Sequence, residues 1–180
     1  LHQLNKDQIG IRQLGYRTNA TIRDIFNKIA PLYSQSTALQ DAPGYKYGLS
    51  LPWQPWVNGV AASFTEIPTI YRNEHLKLSK HLMLQLDDAK LQIKKLFQQC
   101  TRTHGIFSLD FSVASYSEIR YCNKLYAYIL ALIKSADTYL ATAAELTTWW
   151  EKRKRITIDE GEYEISVFFP DDVERFVLSI

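Results

Sequence analysis

Gly105-Ile106-Phe107-Ser108-Leu109-Asp110, followed by Ser115-Tyr116-Ser117-Glu118, is the stretch on which the fold turns. The first six residues read as a buried strand ending in a carboxylate. The next four are a capping box, which opens a helix running to about Ser135. Working backward, residues 74–99 carry Leu78, Leu82, Leu86, Leu91, Ile93 and Phe97 as a broad apolar stripe and read as a helix. Phe64 to Tyr71 reads as a short strand interrupted by Pro68, and residues 20–31 as a helix stopped by Pro31. Working forward, Tyr139-Leu140-Ala141 reads as a minimal strand. Thr142-Ala143-Ala144-Glu145 is a second capping box, for a helix through Trp149 and Trp150 to about Arg153.

Helices and strands that alternate in this way predict an α/β fold, a parallel sheet covered by helices, open or closed as a barrel. Past Arg155 the rhythm changes. Ile156-Thr157-Ile158, Tyr163 to Phe168 and Phe176 to Ile180 alternate with period two around Asp-Glu-Gly and Pro-Asp-Asp turns, which predicts an antiparallel β module over 156–180. Between the first helix and first strand lies a turn-rich stretch from Ser34 to Asn58, with Pro43-Gly44, Gly48, Pro52, Pro55 and Asn58-Gly59. A loop of that length in a compact domain is usually functional or a lid. The chain opens at Leu1 in what reads as mid-helix, as a piece of a longer polypeptide would.

A chain of 180 residues is long enough for one domain with a real core. Its net charge is +2, and its one basic run, Lys152-Arg153-Lys154-Arg155, reads as a solvated helix C-terminus, so nucleic acid is not an expected partner. No apolar run reaches the roughly 18 residues of a membrane span; Leu125 to Ile133 is too short and holds two tyrosines. Cys100 and Cys122 stand in no metal-ligand spacing. Each reads as a buried thiol, with a disulfide between them the alternative, and the redox compartment stays undetermined.

The candidate site residues begin with Gly15-Tyr16-Arg17-Thr18-Asn19-Ala20-Thr21, where a lone arginine directly precedes a helix start. Thr18, Asn19 and Thr21 can each cap the helix carrying Ile22, Ile25, Phe26 and Ile29, and Asn19-Ala20-Thr21 also matches a glycosylation sequon. Arg17 therefore sits on a strand-to-helix loop, where α/β folds keep their sites, and Asp110 ends a strand on the same side. Tyr45, Tyr47, Trp53 and Trp56 gather in the turn-rich stretch, and such rings can form a wall against pyranose faces. Trp149 and Trp150 point about 100° apart on one helix and cannot share a site. His75 and His81 lie six apart, which is not ligand spacing, and both read as solvent-facing.

With these residues placed, the chain over roughly 1–155 resembles the C-terminal half of the polysaccharide deacetylase (NodB-homology) domain. Gly15-Tyr16-Arg17 resembles the family's third motif, in which an arginine after a strand orients the catalytic aspartate. Tyr33-Ser34-Gln35-Ser36 with Leu39-Gln40-Asp41 is similar to its Tyr-Asp-Ser-Ser-like turn, and Gly48-Leu49-Ser50-Leu51-Pro52-Trp53 to the loop before its proline and aromatic wall. Phe64-Thr65-Glu66-Ile67-Pro68 resembles the strand reading glutamate, isoleucine, proline. Thr142 to Arg153 resembles the last barrel helix of members that carry an added β domain.

The resemblance implies a partial (β/α) barrel over 1–155, then the start of an appended β module over 156–180. It implies metal-dependent removal of N-acetyl groups from N-acetylhexosamine polymers. A divalent metal, usually zinc, would be held by one aspartate and two histidines, with Arg17 and Asp110 as catalytic candidates and Tyr16, Tyr47, Trp53 and Trp56 as substrate-binding ones. It leans toward an extracytoplasmic location. The family's metal ligands lie before its third motif, so no ligand is expected on this chain, and His2 stands too close to Arg17 to serve. Where the family ends a strand in leucine and histidine, this chain reads Leu109-Asp110-Phe111-Ser112, with His104 at the wrong end of the strand. Asp110 then replaces the general acid, or the domain has become a catalytically degenerate carbohydrate-binding or scaffolding unit. An α/β domain unrelated to sugars is the remaining reading. Half a barrel would expose strand edges, so completion by an N-terminal segment or an oligomer partner is expected.

Overall fold

A computed structural model describes residues 9–73, 84–113, 122–160 and 165–168. The described residues form a mixed α/β structure with four α-helices and small sheets, and among them no barrel closes. The chain divides into two compact units, 1–140 and 141–180.

In the first unit, strand β1 (Gly10–Ile11) leads through a 3-10 turn at Leu14–Tyr16 into helix α1 (Ala20–Ile29). Asn19 is the N-cap, its Oδ1 accepting the Ile22 N–H. The helix ends where Ala30 turns left-handed, one residue before Pro31. Strand β2 (Tyr33–Thr37) follows, paired in parallel with β1 on one edge and with β5 (Thr65–Pro68) on the other.

β2 is a correction to the sequence reading, which made 34–58 irregular throughout. Ser34, Ser36 and Thr37 are buried, yet polar, so the strand shows none of the apolar alternation by which strands are read. The end of that stretch also forms the first strand of a hairpin, β3 (Trp56–Val57), which turns at Asn58-Gly59 into β4 (Val60–Ala61). Both turn residues have positive φ, 51° and 82°, the conformation a two-residue hairpin turn demands.

The strand from Phe64 breaks after Pro68 and resumes as β6 (Tyr71–Arg72), which pairs in parallel with β7 (Leu109–Asp110). Two bonds carry the sheet across the break. The Thr69 N–H donates back to Thr37 O, and the Ile70 N–H donates forward to Ser108 O. The lateral order is therefore β1, β2, the 65–72 run, β7, all parallel. Trp53 pairs antiparallel with Glu66 at the start of that run.

Helix α2 (Leu86–Arg102) begins at Gln85, with Asp87 and Asp88 in its first turn, where they complement the helix dipole. Leu84 and Gln85 are not helical, so the helix expected over 74–99 is not continuous, and 74–83 lie outside the described residues. Helix α3 (Cys122–Lys134) lies in the span expected, but its capping box at Ser115–Glu118 falls outside them. Ala89, Ile93, Leu96, Leu125 and Ile129 close over Ile70 and Tyr71, while Phe26, Val57, Ala62 and Phe64 join α1 and the hairpin to the sheet. Each buried Ile, Leu, Val or Phe among them contributes roughly 1.5–3 kcal/mol. Cys100 and Cys122 are both buried and are not joined in a disulfide.

Tyr139-Leu140-Ala141 is not a strand. It is an exposed connection that ends in the Thr142 cap, with only seven residues between the last residue of α3 and that cap to carry it. The second unit contains α4 (Ala143–Lys154), whose capping box is complete, Thr142 and Glu145 each accepting from the other's N–H. Strands β8 (Thr157–Glu160) and β9 (Ile165–Phe168) pair antiparallel, as the period-two pattern predicts; Phe176 to Ile180 lie outside the described residues. No described helix is long and apolar enough to cross a membrane.

Candidate functional site at the strand C-termini

Arg12, Tyr16, Arg72 and Asp110 meet at the C-terminal ends of the parallel strands. Arg12 leaves β1, Arg72 ends β6 and Asp110 ends β7. One guanidinium nitrogen of Arg12 lies 3.1 Å from Asp110 Oδ1 and 3.3 Å from the Tyr16 hydroxyl, and that hydroxyl donates to Asp110 Oδ2 at 2.9 Å. The Arg72 guanidinium stacks over the Tyr16 ring, 4.5 Å from its centre, and Arg12 approaches the ring at 5.8 Å. β1 and β7 are the outermost of four strands. Three spacings of ~4.8 Å would hold them about 14 Å apart in a flat sheet.

The turn that aims Tyr16 is unusual. Gly15 and Tyr16 have φ of 71° and 57°, and only the glycine adopts that region freely. For Tyr16 the conformation costs roughly 1–2 kcal/mol. The phenol's bonds to Asp110 and Arg12 offset it, as does Gln40 Nε2 donating to the Tyr16 carbonyl at 3.1 Å. The Tyr16 ring is buried. Burial first, and the neighbouring Asp110 charge second, push the phenol above its ordinary value.

Beneath this group a second carboxylate is buried inside the sheet. Pairing between β2 and β5 slips between Ser34 and Thr37, and Glu66 fills the slip. Its Oε1 accepts the Ser36 N–H at 2.8 Å, and the Ser34 and Thr37 hydroxyls also bond to it. Glu66 is 4% exposed, and burial raises its carboxyl above the ordinary range, against the pull of those three donors and of the Arg23 charge.

Of the residues the sequence singled out, Tyr16 and Asp110 come together here. Arg17 does not join them. It is exposed on the loop before α1, while Arg12, at the strand end proper, makes the contact. Trp56 is 72% exposed on the β3–β4 hairpin, which α1 holds at the N-terminal side of β5, through Asn58 on Asp24 and Ser63 on Asn27. That is the opposite end of the strand from Arg72. Trp53 is half-buried beside Glu66, and Tyr47 is exposed on a separate turn under Lys46. His104 lies in the turn after α2, on the N-terminal side of β7; His2, His75 and His81 fall outside the described residues.

Arg12, Arg72 and Glu66 are the residues that sequence reasoning missed. A signal existed for Arg12, since Ile9-Gly10-Ile11 before it is a short apolar run, but the helix-start motif drew attention five residues on.

Among the described residues no group of three or more histidine, cysteine or acidic side chains could hold a metal. Asp110 has both oxygens engaged and Glu66 is enclosed by donors, so these side chains do not fit a metal as they stand. What the cluster can do is bind. Arg12, about half exposed, directs one nitrogen at Asp110 and Tyr16 and leaves the rest of its planar fork for a carbonyl, hydroxyl or anionic group. No family model matches the chain, and neither does any curated protein or solved structure.

Proposed function

We propose that the chain is the C-terminal half of a (β/α) barrel of the polysaccharide deacetylase type, and that its strand C-termini bind and orient an N-acetylated sugar for amide hydrolysis. The observation that carries this reading is the Arg12–Asp110 contact between the outermost of four parallel strands. In a flat sheet the two side chains would meet only when both are fully extended toward each other. Curling of the strands shortens that span, so the contact supports strands curled as in a barrel wall. Barrel enzymes place their chemistry at this end of their strands. The divalent metal that the resemblance implies would be held by residues outside this chain; it would polarise the acetamide carbonyl. Asp110 and Tyr16 hold Arg12, whose free N–H groups face the acetamide oxygen or a sugar hydroxyl. The remaining strands, or an oligomer partner, complete the wall.

Metal analysis and an acetate-release assay on the full-length protein test this reading. Acetate from an N-acetylhexosamine polymer, lost in Arg12→Ala, is the expected result. No bound metal and no acetate from any acetylated glycan would overturn it.

One observation favours a second reading, a catalytically degenerate glycan-binding domain. Asp110 accepts from Arg12 on one oxygen and from Tyr16 on the other, so neither oxygen is turned to a leaving amine. Glycan binding without acetate release in the same assay selects this reading.

A further inference from the structure

Glu66 reaches the candidate site through a continuous run of hydrogen bonds. Its carboxylate holds the Ser36 N–H and the Ser34 hydroxyl; the Ser34 and Ser36 hydroxyls are 2.9 Å apart; and Ser36 Oγ accepts the Gln13 N–H at 2.8 Å. Gln13 is the residue between Arg12 and the turn that carries Tyr16, and it is the N-cap of that turn. We propose that Glu66 is a positioning residue, which through Ser34 and Ser36 fixes the Arg12–Tyr16 turn against Asp110.

Three features support this over a role in holding the sheet alone. A backbone N–H in the middle of a parallel pair normally finds a carbonyl on the neighbouring strand. Here Ser36 gives that bond to a side chain, and the register slips to allow it. Burying a carboxylate is costly and would be avoided by an apolar residue unless its acceptors were needed. The acceptor is needed because Ser36 Oγ takes both the Ser34 hydroxyl and the Gln13 N–H, while the Ser36 N–H is left to the carboxylate. By holding that N–H, Glu66 fixes the serine whose Oγ receives Gln13. The turn it ends on is the one in which Tyr16 is held in a left-handed conformation that it would otherwise leave.

The inference rests on the reading of the strand ends as the site, but its test does not need activity. In the full chain carrying carbon-13-labelled tyrosine, the Tyr16 resonance is assigned with Tyr16→Phe and its phenol titrated. Amide exchange at Gln13 is followed in parallel. Glu66→Ala should lower the Tyr16 titration midpoint by roughly half a pH unit or more, as the phenol loosens from its buried place beside Asp110. It should also speed Gln13 exchange about five- to tenfold, the worth of one hydrogen bond. Glu66→Gln, which keeps an oxygen for the Ser36 N–H, should restore most of both.

A merely structural glutamate would lower the melting temperature and leave both readouts unmoved below it, and that result overturns the proposal. Should Glu66→Ala fail to fold, Ser36→Ala cuts the same run while leaving the carboxylate in place. The same two changes are expected from it, and their absence is equally fatal. Shifts in Tyr16 without acetate release from the wild type would sink the proposed hydrolase and leave the positioning role standing.

Discussion

The Arg12 guanidinium and the Asp110 carboxylate lie 3.1 Å apart across 98 residues of sequence, at the ends of the two outermost parallel strands. The pair is only partly shielded, with Arg12 about half exposed, so its direct worth is modest. A double-mutant cycle of Arg12→Ala and Asp110→Asn, read by urea denaturation, should give a coupling of about 0.5–1 kcal/mol that shrinks as salt is added. A coupling indistinguishable from zero at low salt would show that the contact adds nothing to stability.

Tyr16 gives the pair its pH dependence. Its phenol is held above the ordinary value of 10.0 by burial and by Asp110, and burial raises Tyr45 in the same direction. In the unfolded chain both phenols ionise first, near pH 10, while the folded protein keeps them protonated. Their contribution to stability is therefore fully present below pH 10 and is lost as pH climbs through the folded values. Urea midpoints taken from pH 8 to 11 should fall steeply above about pH 10, and Tyr16→Phe should make that fall shallower. At neutral pH the same substitution should cost about 1–2 kcal/mol, for the hydrogen bond that Asp110 loses.

Glu66 works in the opposite pH range. Its carboxyl is raised above 4.5 by burial, so the folded state holds the proton more tightly than the unfolded one. Stability from this group is complete below the unfolded value and drains away as pH rises through the folded one. Glu66→Gln should remove that slope and leave neutral-pH stability within about 1 kcal/mol of wild type. Glu66→Ala strands the Ser36 N–H and two hydroxyls, and should cost about 2–4 kcal/mol. Urea melts of the three proteins at pH 4, 6 and 8 check both statements.

Helix ends were the most readable part of this chain. Asn19 and the Thr142–Glu145 box cap α1 and α4 as their residue types predict, because capping is local chemistry that needs no tertiary partner. β2 was unreadable for the converse reason. Tyr-Ser-Gln-Ser-Thr becomes a central strand between β1 and β5, with its buried Ser36 N–H satisfied by Glu66, thirty residues away. Arg12 was hidden by a neighbour with a louder signal: Arg17 adjoins the helix cap, whereas Arg12 owes its place to where β1 ends. Trp56 shows the limit of composition, since an aromatic cluster in one loop says nothing about which end of the sheet the loop returns to.

Gly10 tests the β1–β2 edge on which the Arg12 turn depends. A Cβ placed on it would overlap the Tyr33 ring, directly opposite in the ladder. The φ of Gly10 is not in the left-handed region, so the requirement is space and not backbone freedom. Tyr33 is half-buried and the end of its ring, Cζ and the hydroxyl, fills the space over the glycine, so the ring must shift to admit a Cβ. Gly10→Ala should therefore destabilise by about 1–3 kcal/mol in urea melts, as overpacking does elsewhere. Pairing it with Tyr33→Ala, which removes the ring, should cost less than the sum of the two single changes. Simple additivity would mean that the ring does not cover Gly10.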